Sequence, residues 1–198
     1  LSANSLLSPY NQPMADPWPT HCYRENSMRL SIVLFVFLIL GACASQPGPA
    51  PMRIGNEVAF EMLQDQYSNP FPHEDNMQVL LFADDMQPSR DVRDAMGRVA
   101  ADCYEQGRLV FVANVSGMPR LITRLIALPK MRGYGFPIWL DYEGEATAAL
   151  PVQEDYVSVI HVEKGTIARI DYVRGMESVM NVIVPLCGLK AEQLALLF

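Results

Sequence analysis

An uninterrupted apolar segment near the start of the chain, residues 30–40, decides how much of the sequence can belong to a folded domain. A helix that spans a membrane needs about 20 apolar residues, so this segment is too short to cross one. It follows the basic residue Arg29 and ends in the small residues Gly41 and Ala42. A positive start, a short apolar core and small residues at its end are the layout of a signal peptide for export. The pattern therefore predicts a signal peptide over 28–42.

The end of this segment carries a second, more specific pattern. Leu40-Gly41-Ala42-Cys43 resembles the lipobox of bacterial lipoproteins, in which a peptidase cuts before the cysteine and the cysteine carries the lipid. The resemblance implies a palmitate-type lipid anchor at Cys43. A Pro- and Gly-rich tether over 43–55 then leads to the folded body. An ordinary secretory signal and an uncleaved anchor are the alternatives.

The residue after the cysteine bears on localisation. In such lipoproteins an Asp at this position usually retains the protein in the inner membrane, and Ala44 stands there instead. The resemblance therefore implies a protein of the cell envelope that is anchored in the outer membrane and faces the periplasm. Residues 1–27 lie upstream of the signal and are interpreted as an extension without structure, with a genuine functional extension as the alternative.

Composition limits what the remaining residues can do. The chain has 198 residues, of which 50% are hydrophobic and 19% are charged, which excludes a disordered protein and a polytopic membrane protein. Its net charge is −7, and no basic stripe is present to neutralise phosphates. We therefore expect no nucleic-acid partner and an overall repulsion from an anionic bilayer surface. The expected partners are the membrane, through the lipid anchor, and an envelope or periplasmic protein.

Apolar periodicity in 56–198 predicts one domain in which helices and strands alternate. The predicted helices span 55–66, 88–106, 119–131 and 176–184, and the predicted strands span 78–83, 108–115, 136–140, 156–162 and 166–173. The predicted apolar side of the third helix consists of Leu121, Ile122, Leu125, Ile126 and Leu128. This order predicts parallel strand pairing first, an antiparallel hairpin last, and helices on both faces.

Several segments resemble the thioredoxin-like family, in its peroxiredoxin and thiol-reductase variety. The stretch 136–146 ends a strand in Asp-x-x-Gly, continues through 150–152, and is followed by the hairpin 157–170 with its Lys164-Gly165 turn. The similarity covers roughly 78–187. It implies an α/β, thioredoxin-like three-layer sandwich with a mixed sheet over 56–198.

Two departures from the family pattern bear on activity. Redox-active members carry Cys-x-x-Cys after the first strand, at a helix start that lowers the pKa of the first thiol. Here those positions are Met86 and Ser89, and Tyr156 stands where the family has a cis-proline. We therefore expect no catalytic residues and no cofactor, and a redox-inactive binding or assembly module. The alternative is a divergent thiol oxidoreductase or peroxidase that uses Cys103 or Cys187.

Cys103 and Cys187 lie on the apolar sides of two predicted helices that pack on one face of the sheet in this fold. In an oxidising compartment they form either a structural disulfide or two separate buried thiols.

Acidic loop residues surround the position of the lost redox motif. We name this set the exit-loop surface: Asp84, Asp85, Met86, Ser89, Glu154, Asp155 and Tyr156. Its carboxylates could bind a hard cation or a basic partner, or could simply be solvated charges, one of which caps the following helix.

Two further kinds of site are a metal centre and a groove for a small ligand. His73 and His161 fit no zinc-ligand spacing, so no metal centre is expected. An aromatic cluster could form a groove for a small ligand, as a third hypothesis; it comprises Tyr134, Phe136, Trp139 and Tyr142.

Overall fold

A computed structural model describes residues 48–60, 62–71 and 76–195 of the chain. The signal peptide, the lipid site Cys43 and His73 all lie outside the described residues. No helix within the described ranges is long and apolar enough to cross a membrane.

A five-stranded mixed sheet forms the centre of the fold. The strands are β1 (Val79–Ala83), β2 (Leu109–Asn114), β3 (Trp139–Asp141), β4 (Val157–Glu163) and β5 (Thr166–Val173), in the order β3-β2-β1-β4-β5. The strands β1, β2 and β3 run parallel, while β4 pairs antiparallel with both β1 and β5. This arrangement confirms the α/β class and the mixed sheet with a C-terminal antiparallel hairpin. The strands were predictable because buried strands are continuous apolar runs, and every residue of β1 is buried.

Helices cover one face of this sheet. They are α1 (Met86–Met96), α2 (Asp102–Glu105), α3 (Arg120–Ile122), α4 (Leu128–Met131), α5 (Met176–Cys187) and α6 (Ala191–Ala195). A π-helical turn, Thr123–Ala127, joins α3 to α4, and we call the continuous element the 120–131 helix. The first core cluster joins Val92 of α1 and Ile183 of α5 to Leu81 and Phe111 of the strands.

The opposite face is covered by irregular chain: among the described residues no helix contributes to its core cluster, so the expectation of helices on both faces is wrong, as is the predicted helix over 55–66. Phe60 and Leu63 pack against Leu80 and Phe82 in a second core cluster. The backbone of this segment bonds to the sheet edges instead of to itself: Gly55 N donates to Ile167 O at 2.8 Å, and Leu140 N donates to Gln64 O at 2.8 Å.

The predicted helix over 88–106 is interrupted. It ends at Met96, and Val99 then forms an antiparallel bridge with Leu189 before α2 begins. Val92, Met96, Val99 and Cys103 are all fully buried, as their spacing predicted. The burial pattern was therefore informative, but it could not reveal that a strand-like bridge replaces one helical turn.

The 120–131 helix exists close to its predicted bounds, but its predicted buried side is wrong. Leu121, Ile122, Leu125 and Ile126 are exposed, whereas Leu128 is packed against the first core cluster.

Candidate functional site at the carboxyl end of β1

The sheet register brings the two halves of the exit-loop surface to one edge. Phe82 of β1 pairs with Ser158 of β4. Because the strands are antiparallel, the residues that follow β1 lie beside those that precede β4. Asp84 and Asp85 therefore share an edge with Tyr156, as the sequence predicted.

Met86 and Ser89 occupy the first turn of α1. Met86 is the first helical residue and is 68% exposed, while Ser89 is half-buried and its N–H donates to Asp85 O at 3.1 Å. Asp85 has the extended backbone of an N-cap residue, but its side chain makes no capping hydrogen bond. The capping role considered for Asp84 or Asp85 is therefore wrong. A thioether and a hydroxyl at this helix start cannot supply a thiolate.

Asp84 is held from the neighbouring strand. The amide Nδ2 of Asn114, the last residue of β2, donates to Asp84 Oδ1 at 2.7 Å, and Asn114 Oδ1 accepts from the N–H of Ser116 at 2.9 Å. This chain of hydrogen bonds joins the ends of β1 and β2 and fixes the direction of one exposed carboxylate.

On the β4 side, Arg174 contacts two residues of the loop that precedes β4. Its Nη2 lies 3.3 Å from Asp155 Oδ2, and its guanidinium lies 5.9 Å from the centre of the Tyr156 ring. Asp155 has a positive φ of 65°, which is uncommon outside glycine and is tolerated by Asp in turns. Arg174 thus neutralises one of the four carboxylates, and Glu154 remains exposed.

Asp91 is a buried residue next to the exit-loop surface, and the sequence prediction missed it. It is only 9% exposed; Gln87 Nε2 donates to its Oδ1 at 3.1 Å, and Gly175 N donates to its Oδ2 at 3.1 Å. Asp91 therefore ties the start of α1 to the start of α5. The signal was present, because position 91 falls between Pro88 and Val92 on the buried side of the helix.

A second buried carboxylate shapes the turn after β3. Asp141 is 5% exposed and accepts hydrogen bonds from the backbone N–H groups of Gly144 and Thr147, both at 2.8 Å, and from the Thr147 hydroxyl at 2.9 Å. This is the Asp-x-x-Gly turn of the sequence pattern. At Gly144 the φ is +79°, and a Cβ would lie 2.8 Å from Ser116 Oγ, so glycine is required there.

The carboxylates do not gather into a metal site. Among the residues that the structure describes, no group of three or more His, Cys, Asp or Glu is arranged to hold a metal ion. Asp84, Asp85, Glu154 and Asp155 are therefore not arranged as a cation site.

The two cysteines lie at the other end of the sheet. Cys103 O accepts from the N–H of Arg108, the residue before β2, and Cys187 ends α5. The Cα atoms are 5.1 Å apart and the Sγ atoms 1.96 Å, and the residues are 0% and 8% exposed. The structure thus brings the predicted pair together, at the amino end of β2 and away from the exit-loop surface.

The aromatic cluster divides between the two faces of the sheet. Phe136 stacks on Tyr134 in the first core cluster, with ring centres 5.9 Å apart. Trp139 belongs to the second cluster, and the centre of its ring lies 4.9 Å from the centre of the Phe71 ring. Burial raises the pKa of the Tyr142 phenol, consistent with core packing. The hypothesis that these four residues line one ligand groove is therefore wrong.

A groove that sequence reasoning did not find lies at the amino end of β1. Its volume is about 1030 Å³, and its polar lining includes Gln78, Gln106, Arg108, His161 and Lys164. These residues come from three separate segments with no shared motif, so no sequence signal could have predicted it.

No protein-family model and no curated protein matches the chain. Similar solved structures include a thio-disulfide isomerase from Thermus thermophilus, with 19% identity and a TM-score of 0.43 over 70% of this chain and 99% of that chain. They also include peroxidoxin BcpB from Mycobacterium tuberculosis, with 12% identity and a TM-score of 0.45 over 68% of this chain and 96% of that chain. StoA from Bacillus subtilis has 14% identity and a TM-score of 0.38 over 68% of this chain and 98% of that chain.

The topology decides the fold. A central β1, followed by a helix into the parallel β2, pairs on its other side with an antiparallel hairpin that leads into a final packed helix. The chain has a thioredoxin-like fold. In this fold the exit-loop surface lies at the carboxyl end of the central strand β1.

Proposed function

We propose that the chain is a lipid-anchored protein of the cell envelope whose thioredoxin-like domain is redox-inactive and serves as a binding or assembly module. The observation that carries this proposal is the identity of the residues at the start of α1. Met86 and Ser89 stand where the family resemblance expects two cysteines, and Tyr156 stands where it expects a cis-proline. Neither Met nor Ser can supply a thiolate or form a disulfide.

The position of the remaining thiols in the domain supports the same proposal. Cys103 and Cys187 are buried at the amino end of β2, next to each other, and a nucleophilic thiol must be accessible to its substrate. Such an arrangement suits a structural disulfide. It does not suit a redox centre that exchanges electrons with a second protein.

The exit-loop surface has the chemistry of a protein-recognition site. Asp84, Asp85 and Glu154 are exposed in the loops that meet at this edge, and the Met86 side chain is 68% exposed. Val152, two residues before Glu154, is 51% exposed. Methionine adapts its shape to different apolar partners. A partner segment that combines basic and apolar residues would complement this surface.

Recognition by strand addition is disfavoured. Glu57 pairs with Thr166 at the β5 edge, and Gln64 pairs with Leu140 at the β3 edge. The N-terminal segment therefore covers part of both sheet edges, which are the usual templates for an added strand. Side chains at the exit-loop surface are the better candidates for contact with a partner.

The binding proposal is tested by photo-cross-linking in cells. A photoreactive amino acid at Met86 should give one dominant adduct with an envelope protein. The same amino acid at Ile54, which is 65% exposed, is the matched control and should not give that adduct. Identical adducts from both positions, or no adduct from position 86, would contradict the proposed binding surface.

The anchoring proposal is tested separately. Cells fed labelled palmitate should incorporate the label into the wild-type chain and not into Cys43→Ser, and only the wild type should remain with membranes after a high-salt wash. Equal labelling of both proteins would contradict lipidation at Cys43.

A further inference from the structure

The 120–131 helix presents an apolar face to solvent. Leu121 is 67% exposed, Ile122 42%, Leu125 66% and Ile126 59%. Four large aliphatic side chains next to each other on one helix are unusual on a surface that contacts only water, because each loses the free energy of burial.

The π-helical turn explains why this face points outward. Thr123 is the buried residue of the turn, and Leu128 and Met131 pack against the first core cluster. The spacing from 123 to 128 is one wide turn of five residues, so these three residues form the inner side of the helix. Leu121, Ile122, Leu125 and Ile126 are left on the outer side, and the helix is anchored without them.

The same helix concentrates positive charge in an acidic protein. Arg120, Arg124, Lys130 and Arg132 lie on it or directly after it, and no Asp or Glu occurs anywhere in 116–134, although the whole chain has a net charge of −7. Arg120 pairs with Glu143 at 2.7 Å. Within the described ranges Arg124 and Lys130 form no ion pair, and both are exposed.

We propose that the 120–131 helix binds the surface of an anionic phospholipid bilayer, with its aliphatic side chains in the headgroup region and its cations against the phosphates. A basic rim around an apolar face is the arrangement of interfacial helices, and each cation near an anionic surface contributes about 1 kcal/mol. Symmetric contact with a second copy is disfavoured because it would place the same cations opposite one another.

This inference rests on the proposed anchor. A lipid on Cys43 would hold the folded body close to the bilayer, because the segment 44–51 extends at most about 30 Å. The overall repulsion expected from the net charge then matters less than the charge of the face that is turned to the lipid.

The test uses the full anchored chain and a fluorescent reporter on the helix. The Leu125→Trp variant is incorporated into vesicles of phosphatidylcholine alone or of phosphatidylcholine mixed with phosphatidylglycerol. In both vesicle types the acyl chains are brominated and quench tryptophan on contact. Tyr172→Trp, on β5, is the matched control because it shares the same anchor and the one native tryptophan that follows Cys43, Trp139. We expect quenching and a blue shift of the new tryptophan for Leu125→Trp in anionic vesicles only, and no change for Tyr172→Trp.

Charge removal sharpens the test. Arg124→Gln and Lys130→Gln, added to the reporter variant, should each lower the ratio of docked to undocked helix about fivefold. Equal quenching in both vesicle types would contradict binding to anionic lipid. A blue shift that grows with protein concentration without vesicles would identify a second copy as the partner and overturn the proposal.

Co-sedimentation with vesicles separates this proposal from the anchor. A chain that sediments while the tryptophan at position 125 stays unquenched contradicts the helix proposal and leaves the anchor intact. A chain that remains in solution with both vesicle types contradicts both.

Discussion

The two ends of the parallel strands use their side chains in opposite ways. At the amino end of β2, Cys103 and Cys187 are buried side by side and join α5 to the chain before β2. At the carboxyl end of β1, Met86 is exposed and the loops hold carboxylates instead of thiols. The two described thiols thus lie where they can stabilise the structure, and under the proposed function the exit-loop surface serves binding.

Under the proposed function, this difference shows that a chain can keep the thioredoxin-like fold after the residues for thiol chemistry have been replaced. The hydrogen bonds that shape the site are present: Asn114 orients Asp84, and Asp91 joins α1 to α5. The start of α1 carries no thiol. Changes at the amino end should therefore affect stability, and changes on the exit-loop surface should affect binding.

The largest expected effect is at the amino end. Cys103→Ser combined with Cys187→Ser should lower the free energy of unfolding by roughly 4–5 kcal/mol, because a disulfide with a sequence separation of 84 restricts the unfolded chain strongly. Guanidinium denaturation of the oxidised parent and the variant measures this loss. Peptide mapping after alkylation of denatured, unreduced protein is the control: modification of both cysteines would show that no disulfide forms.

Asp91 should give the next largest effect. Asp91→Ala removes the acceptor of the Gly175 N–H and should cost about 2 kcal/mol, since a partly buried donor is left unpaired. Asp94→Ala, on the same helix but exposed, should change stability by less than about 0.5 kcal/mol. Equal losses in the two variants would mean that Asp91 does not join the helices as described.

Tyr104, next to Cys103, predicts a smaller effect that depends on pH. Its hydroxyl donates to Gly135 O at 3.2 Å, and burial raises the pKa of its phenol above the usual 10.0. Tyr104→Phe should therefore cost about 1 kcal/mol near neutral pH. The raised pKa makes Tyr104 stabilising below pH 10, and this contribution is lost as the pH rises through the pKa in the folded state. Thermal melts from pH 7 to pH 11 should show a shallower alkaline loss for Tyr104→Phe, and parallel curves would contradict this prediction.

Met86 should have the smallest effect on stability. Met86→Ser removes an exposed side chain and should change the unfolding free energy by less than about 0.5 kcal/mol. The same substitution should reduce cross-linking from a photoreactive residue at the neighbouring exposed position 87. An unchanged cross-link yield would show that Met86 is not a contact of the partner.

The sheet could be predicted from sequence more completely than the layers around it. The strands β1, β2 and β3 follow from apolar runs, since a strand buried on both faces has few polar positions. The strands β4 and β5 follow instead from the hairpin signal at the Lys164-Gly165 turn, because β5 has polar residues and is mostly half-buried. The segment that contains Phe60 and Leu63 could not be assigned, because its backbone partners on β3 and β5 are distant in sequence. The outer face of the 120–131 helix was missed because a π-helical turn changes the period on which the prediction depended.

The position of the site could be predicted from the sequence, but its side-chain contacts could be predicted only in part. The order of elements placed Asp84 and Tyr156 at one edge, and the register agrees. The hydrogen bond from Asn114 to Asp84 and the pairing of Arg174 with Asp155 depend on side chains from elements far apart in the sequence. Spacing alone carries no signal for such contacts.

The most direct test of the central claim is insulin reduction, measured for the native chain beside a Met86→Cys, Ser89→Cys variant under the same dithiothreitol conditions. The account predicts no activity above background for the native chain. It also predicts that the variant forms a disulfide between the two new cysteines at the start of α1 and gains measurable activity. Insulin reduction by the native chain that is abolished by Cys103→Ser would contradict the account and would establish the alternative of a divergent oxidoreductase.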